Sequence, residues 1–353
     1  MMKKLFLPFL LVLITASVLA LPLKIAFIYV GPVGDSGWTY THNLGRLYVQ
    51  KIFGDKIQTT YIESVPEGAG AISVLKSLAN HGYNLIYTTS FSYMEQTAEV
   101  AKLFPKVIFE NCSGYLTRAN MGDYFGRIYQ SEFLTGLIAG AMTKSGKIGY
   151  VAAYPIPEVV RGINAFTIGV RMVNPRAEVH VVWVNSWYDP PTEKEAALSL
   201  INAGCDVIKS ETDSAAPLQA AEQKHVYAIG YNADMKKFAP NYYLTSAIFN
   251  WGVFYEKDIK EIMNGTWKPE KFWGGLDTGV VDIAPMTKLV PPQTQKLVEA
   301  MKEELKSHEF HVFEGPIYNQ KGKLAIPSGK MATDKELLSM NWFVQGVVGS
   351  IPK

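Results

Sequence analysis

Cysteine is nearly absent: Cys112 and Cys205 are the only two in 353 residues. Two thiols build neither a disulfide framework nor a four-ligand zinc site, and both are expected to be buried and free. A surplus of charge is missing as well, with Lys+Arg 34 against Asp+Glu 32. No segment carries a basic run, so the footprint of a nucleic-acid or anionic-membrane binder is excluded. Histidine is sparse, six in all. His308 and His311 flank Glu309 outside the HExxH spacing and no further ligand is in view, so no metal is expected. Beyond residue 23 no apolar run reaches spanning length. What the chain does have is 48% hydrophobic and 12% aromatic residues. That is enough apolar surface to exclude disorder, and at this length to fill two or three cores.

Residues 1–20 read as an export signal. Lys3 and Lys4 supply a positive start, Leu5 to Leu19 an uncharged apolar run, and Val18-Leu19-Ala20 a cleavage site after Ala20. An uncleaved anchor is the alternative, because the run to Leu23 approaches spanning length. A lipid anchor would need a cysteine directly after the run, and the first is Cys112. Without Lys3 and Lys4 the charges balance, 32 of each sign. The mature protein is expected in the periplasm or secreted.

The exported part alternates apolar strand-like runs with amphipathic stretches of helix length. Lys24–Val30, Ile57–Glu63, Leu85–Thr89 and Val107–Glu110 read as strands, with helices over Thr39–Phe53, Glu67–His81 and Met94–Phe104 between them. Nearly continuous apolar strands in β–α–β order predict an α/β fold with parallel sheets covered on both faces. The pattern then restarts. Lys147–Ile156 (KIGYVAAYPI) echoes Lys24–Val33 (KIAFIYVGPV) 123 positions earlier, with Pro155 matching Pro32. Helices over Glu158–Val173 and Glu193–Ala203 and strands at Glu178–Asn185, Cys205–Ser210 and Val226–Gly230 continue the series. Two Rossmann-like, doubly wound units are the simplest reading.

Ligands of open α/β sheets sit at the carboxyl ends of the strands, and there the sequence is rich in aromatics and small polar groups. In the first half these loops hold Asp35, Ser36, Gly37 and Trp38, then Phe91 and Tyr93, then Asn111. In the second they hold Tyr154, Trp187 and Tyr188, Asp213, Asn232, and finally Asn250 and Trp251. Flat aromatic faces with a few fixed polar groups suit a planar heterocycle or a sugar ring. Catalytic motifs fail inspection. Gly34–Gly37 (GDSG) imitates a serine-protease signature, but no histidine precedes His42 to serve as its base. Trp38 occupies the last glycine of a would-be GxSxG elbow. Neither Gly31–Gly34 nor Gly146-Lys147 makes a phosphate loop. No cofactor and no catalytic residue are expected.

Several segments in order resemble the basic membrane protein (BMP) family of ABC-transporter substrate-binding proteins, the purine nucleoside and nucleobase receptors. They are Gly34–Thr39 (GDSGWT), Glu132–Gly136 (EFLTG), Ala203–Ile208 (AGCDVI), Ala228–Asp234 (AIGYNAD) and Asn341–Val347 (NWFVQGV). The similarity covers residues 24–353. It implies a type I periplasmic-binding-protein fold: two Rossmann-like lobes on a multi-strand hinge, with the ligand trapped between them. The first lobe would comprise 24–126 plus about 250–284, and the second about 127–249 plus about 285–353. Crossings are expected near Asp123–Tyr129, Thr245–Trp251 and Val280–Pro285.

The family sandwiches a purine between aromatics. Trp38 matches its first-lobe ring, and Trp187, Tyr188 and Trp251 are candidates for the other. Asp35, Asn111, Asp213 and Asn232 would read the ring edge. Asn232 and Asn250 stand where nucleoside-binding members carry an aspartate and a lysine. Asparagine offers a base edge both donor and acceptor, which tilts the expectation from nucleoside to free nucleobase of adenine type. The implied partner is a membrane permease, and the receptor itself is expected to be monomeric. Two alternatives stay open: a receptor of the same fold for a sugar or other small polar signal, and an exported nucleoside-processing enzyme using Asp35 or Asp213 as acid or base.

Overall fold

A strand buried on both faces of a parallel sheet needs apolar residues at successive positions, and β1 (Leu23–Ile28, LKIAFI) supplies them. The computed structural model describes residues 21–352, and the expected export signal 1–20 lies outside them. After β1 come α1 (Gly37–Phe53), β2 (Ile57–Ile62), α2 (Ala69–Asn80), β3 (Leu85–Thr88), α3 (Met94–Leu103), β4 (Ile108–Cys112) and β5 (Met121–Gly126). The second series is α4 (Tyr129–Met142), β6 (Lys147–Ala152), α5 (Pro157–Val173), β7 (Glu178–Trp183), α6 (Pro190–Asn202), β8 (Val207–Glu211), α7 (Ala216–Lys224), β9 (Tyr227–Asn232) and β10 (Tyr243–Phe249). The chain ends with α8 (Trp251–Met263), β11 (Lys271–Gly274), β12 (Val281–Ile283), α9 (Pro292–Lys306), β13 (Ile317–Tyr318), β14 (Leu324–Ile326), α10 (Asp334–Leu338) and β15 (Val347–Val348).

Two sheets form the centres of two lobes. The first has strand order β11-β5-β4-β3-β1-β2 and the second β12-β10-β9-β8-β6-β7-β15. Every pairing within them is parallel except β12 against β10. In both, the second strand of the half lies outside the first, and the third to fifth follow on its other side. The ten-residue echo is therefore a duplication of topology. Connections leave β1 and β6 in opposite directions, so a crevice opens at the carboxyl ends of β1 and β3, and of β6 and β8.

The stretch expected in the first lobe, about 250–284, divides. α8 packs on α1 and β11 pairs with β5, but β12 belongs to the second sheet, because its antiparallel ladder with β10 joins Phe249 to Val281 and Ala247 to Ile283. The third crossing thus lies between Gly274 and Val281, earlier than expected. The tail joins the second lobe: α9 lies on α4, and β15 extends the sheet beside β7.

Helix α4 is buried at every position except Ala141. Glycines make this possible. A Cβ at Gly136 would collide with the carbonyl of Phe166, and one at Gly169 with the carbonyl of Phe133, so α4 and α5 meet backbone to backbone. Cys112 and Cys205 are buried free thiols. Among the described residues no helix is long and apolar enough to cross a membrane.

Candidate functional site

The loop after β1 carries the first lobe across to the second. Gly34 and Gly37 adopt positive φ, 57° and 84°, a region in which only glycine is unstrained. This turn presents the Trp38 backbone N–H to Asp213 Oδ1 at 3.1 Å and the Ser36 hydroxyl to the Asp213 carbonyl at 3.4 Å. Gly37 lies so close to the second lobe that a Cβ there would stand 2.7 Å from Asp213 O. Asp35, exposed on the rim, pairs with Lys237 Nζ of the second lobe at 2.8 Å. The two lobes are closed on each other at this point.

Asp213 is held on every side. Its N–H donates to Trp187 O (2.8 Å), and its Oδ1 accepts from Asn232 Nδ2 (2.8 Å) as well as from Trp38. Burial pushes its carboxyl up to about 7, against those two hydrogen bonds, which lower it. The loop beneath is braced by buried Glu193, which accepts from the hydroxyls of Thr212 and Ser214 and from the Asp189 N–H. Both carboxylates considered as an acid or base are thus engaged, Asp35 by Lys237 and Asp213 by two N–H donors.

Trp38 is half-buried, its indole N–H given to Thr89 O at 2.6 Å. Its ring stands nearly perpendicular to His42 (4.6 Å), Trp251 (5.5 Å) and Phe249 (5.5 Å). In the second lobe Tyr154 and Trp187 form an edge-on pair, centroids 5.5 Å apart. Tyr188 lies exposed beside them. Phe91, also exposed, pairs with Tyr115 at 6.2 Å on the first-lobe rim.

Four of the expected contacts have side chains already engaged by partners within the protein. Trp251 is fully buried, sandwiched between His42 (4.7 Å, 4°) and Phe249 (4.6 Å, 10°), and offers no free face. Tyr93 is fully buried and donates to Val65 O at 2.6 Å. Asn111, also fully buried, accepts from Thr88 Oγ1 and donates to Cys112 O. Asn250 ties two hinge crossings together: its Nδ2 donates to Gly279 O and its N–H to Val280 O. His308 and His311 both lie in the loop after α9. No group of three or more His, Cys, Asp or Glu among the described residues could hold a metal.

Sequence reasoning missed Glu158. It sits in the first turn of α5, at the carboxyl end of β6. Burial pushes its carboxyl up to about 7, with Arg161 opposing. The signal was present: the 123-residue echo, carried two residues further, sets Glu158 opposite Asp35. Behind it, buried Lys209 pairs with Glu132 at 3.0 Å between the rings of Tyr231 and Tyr150, and Tyr150 donates to Glu211.

Comparison with known proteins bears on this arrangement. A family profile described as ABC transporter substrate-binding protein PnrA-like (Bmp) matches residues 23–315. The chain is 44% identical over 331 residues to a purine-binding protein of Brucella abortus, covering 94% of each chain. It is 39% identical over 328 residues to a Haloferax volcanii protein named as a candidate ABC transporter glucose-binding protein, covering 93% of this chain and 81% of that one. Among solved structures, an ABC transporter solute-binding protein from Conexibacter woesei matches with a TM-score of 0.71 at 22% identity, over 82% of this chain and 98% of the other. One from Aeropyrum pernix K1 matches at 0.70 and 18% identity, over 91% and 98%. These last two are likenesses of fold.

Proposed function

Because the chain belongs to the Bmp family of PnrA-like ABC-transporter substrate-binding proteins, with the two-lobed fold of a type I periplasmic binding protein, we propose that it is the extracytoplasmic receptor of a purine importer. The observation that carries this reading is the 44% identity, over 94% of both chains, to a protein named for purine binding. The geometry supports it. Trp38 from one lobe and the Tyr154–Trp187 pair from the other stand at the strand ends that face each other, beside the neutral amide of Asn232. An uncharged planar base needs no cationic cleft, and the chain's formal net charge is only +2. In this reading the base lies against Trp38, and Tyr154, Trp187 or Tyr188 covers its other face. The Asp35–Trp38 turn closes over it, Asp213 and Asn232 line its edge, and Phe91 forms the rim. The closed form is what a membrane permease would recognise. The receptor is monomeric and is delivered outside the cytoplasmic membrane by its first twenty residues.

Denaturing the purified protein and identifying released small molecules by mass spectrometry tests this. Calorimetric titration with adenine, guanine, hypoxanthine, xanthine and their nucleosides completes the test. Saturable binding without turnover is expected, and a null across that panel overturns the reading. The Haloferax relative favours a second reading, a hexose receptor, since aromatic faces also stack on pyranose rings. Glucose belongs in the same panel, and competition between it and adenine decides.

A further inference from the structure

The three crossings between the lobes meet at one point. A Cβ at Gly126, the last residue of β5, would stand 2.6 Å from Val281 Cγ1 and 2.8 Å from Phe249 Cε1. Arg127 is the next residue, and its polar atoms reach both lobes. Its N–H donates to Gly274 O at 2.7 Å and its Nε to Trp273 O at 2.9 Å, both on β11 of the first sheet. The guanidinium lies 4.0 Å from the centroid of the Trp273 ring, whose own N–H is given to Gly126 O at 3.2 Å. Both Nη atoms donate to the carboxylate of Asp334, at 2.8 Å each, in the forked geometry that makes Arg–carboxylate pairs strong and directional. Asp334 is anchored in the second lobe. It opens α10, which packs on α5, and Arg161 of α5 donates to Leu337 O at 2.6 Å. A cavity of about 550 Å³, lined by Trp273, Thr278, His308 and Met331, lies beside the pair, so the third crossing and the tail are not packed face to face there. The Asp334 half of the pair lies beyond residue 315, where the family profile ends.

Resting on the receptor reading, we propose that Arg127 and Asp334 are positioning residues for closure, a clasp across the pivot that is complete only when the lobes are shut. The geometry gives the reason. Trp273 holds the guanidinium plane with the first lobe, and α10 carries the carboxylate with the second. Rotation about Gly126 turns one against the other, and a displacement of about 1 Å stretches a 2.8 Å bond past hydrogen-bond range. The clasp therefore strengthens the closed state without touching the ligand, and its loss shows in release and not in encounter. The Asp35–Lys237 pair also joins the lobes, but at the mouth, where both side chains are more than half exposed.

The test is stopped-flow and calorimetric titration of wild type, Asp334→Asn, Arg127→Lys and the double variant, with adenine and with glucose as probes. Thermal melts accompany it to show that the variants are folded. Lysine keeps the charge of Arg127 but lacks its fork and its stacking plane. Each single variant should release ligand about fivefold faster with its association rate unchanged, the upper end for a partly exposed ion pair. The double variant should match the single ones, because all three remove the same fork. Lys302→Ala, which breaks an ion pair to Asp282 within the second lobe, is the control. It should lower the melting temperature and leave affinity unchanged. Clasp variants that melt earlier but release ligand at the wild-type rate give the pair a structural role and overturn the proposal. So do effects that add in the double variant, or a control that weakens binding equally. Wild type that binds glucose and not adenine removes the purine reading, and glucose then reads the clasp.

Discussion

Trp38 and Trp251 meet in one aromatic cluster but are held by different forces. Trp251 has no exposed surface and packs between two parallel rings, so its removal leaves a cavity that the hinge cannot collapse into. Trp251→Ala should lower stability by about 3–5 kcal/mol, the range for buried aromatic truncation, as read from chemical denaturation. Trp38 keeps part of its ring exposed between the lobes. Trp38→Ala should weaken purine binding by roughly 1–3 kcal/mol, the scale of base stacking on an aromatic, and unchanged affinity would make Trp38 structural. Gly37 supplies a cleaner probe of closure. Gly34 and Gly37 share the positive-φ strain, but only at Gly37 would a Cβ meet Asp213 across the interface, whereas at Gly34 the nearest atom, Ser36 O, is 3.9 Å away. Gly37→Ala should therefore weaken adenine binding clearly more than Gly34→Ala in parallel titrations. Equal effects would show that backbone strain, and not contact between lobes, is what matters.

Helices α4 and α5 join the hinge to the second sheet, and their glycine contacts make them one unit. Side chains cannot swing out of the way when the atoms they would strike are backbone carbonyls, as at Gly136 and Gly169. Gly136→Leu should lower the melting temperature sharply, with overpacking of about 1–3 kcal/mol or more. Ala141→Leu, at the one exposed position of the same helix, should leave it almost unchanged. If both variants melt alike, the close approach of the two helices is not limiting. Topology acts at this scale too. Because each sheet reverses its winding beside its first strand, the turn carrying Trp38 and the loop carrying Asp213 arrive at facing crevices.

Closure of the whole molecule should be coupled to protons. Glu158 faces Arg161, Glu211, Tyr231 and Cys112, and Asp213 faces Glu193, Glu158, Asn232 and the Trp38 N–H. In the closed form burial raises both carboxyls to about 7. Exposed in an open form, they would return towards the ordinary carboxylate value of about 4. A pKa raised on closure means that protonation favours the closed state. The contribution is complete below about 4 and is lost as pH rises through about 7. Purine affinity should increase from pH 8 to pH 5, and calorimetry at pH 6 in two buffers of different ionisation enthalpy should report net proton uptake on binding. An affinity flat across this range would show that neither group changes its surroundings on closure.

The sequence by itself determined the alternation of strands and helices, the restart at Lys147, and the loops at which function would sit. These follow from local periodicity and from the fact that a doubly covered strand must be apolar throughout. Trp38, Asp213 and Asn232 were legible as polar or aromatic residues at strand ends. Tertiary structure alone decided which strand-end side chains are free and which are committed. Tyr93, Asn111, Asn250 and Trp251 share the composition of a binding loop, but each spends its hydrogen bonds or ring faces on partners far away in the chain or brought close by a crossover. Glu158 shows the converse. Its place was readable from the duplication, but its surroundings are a property of packing, visible only when both lobes are folded against each other.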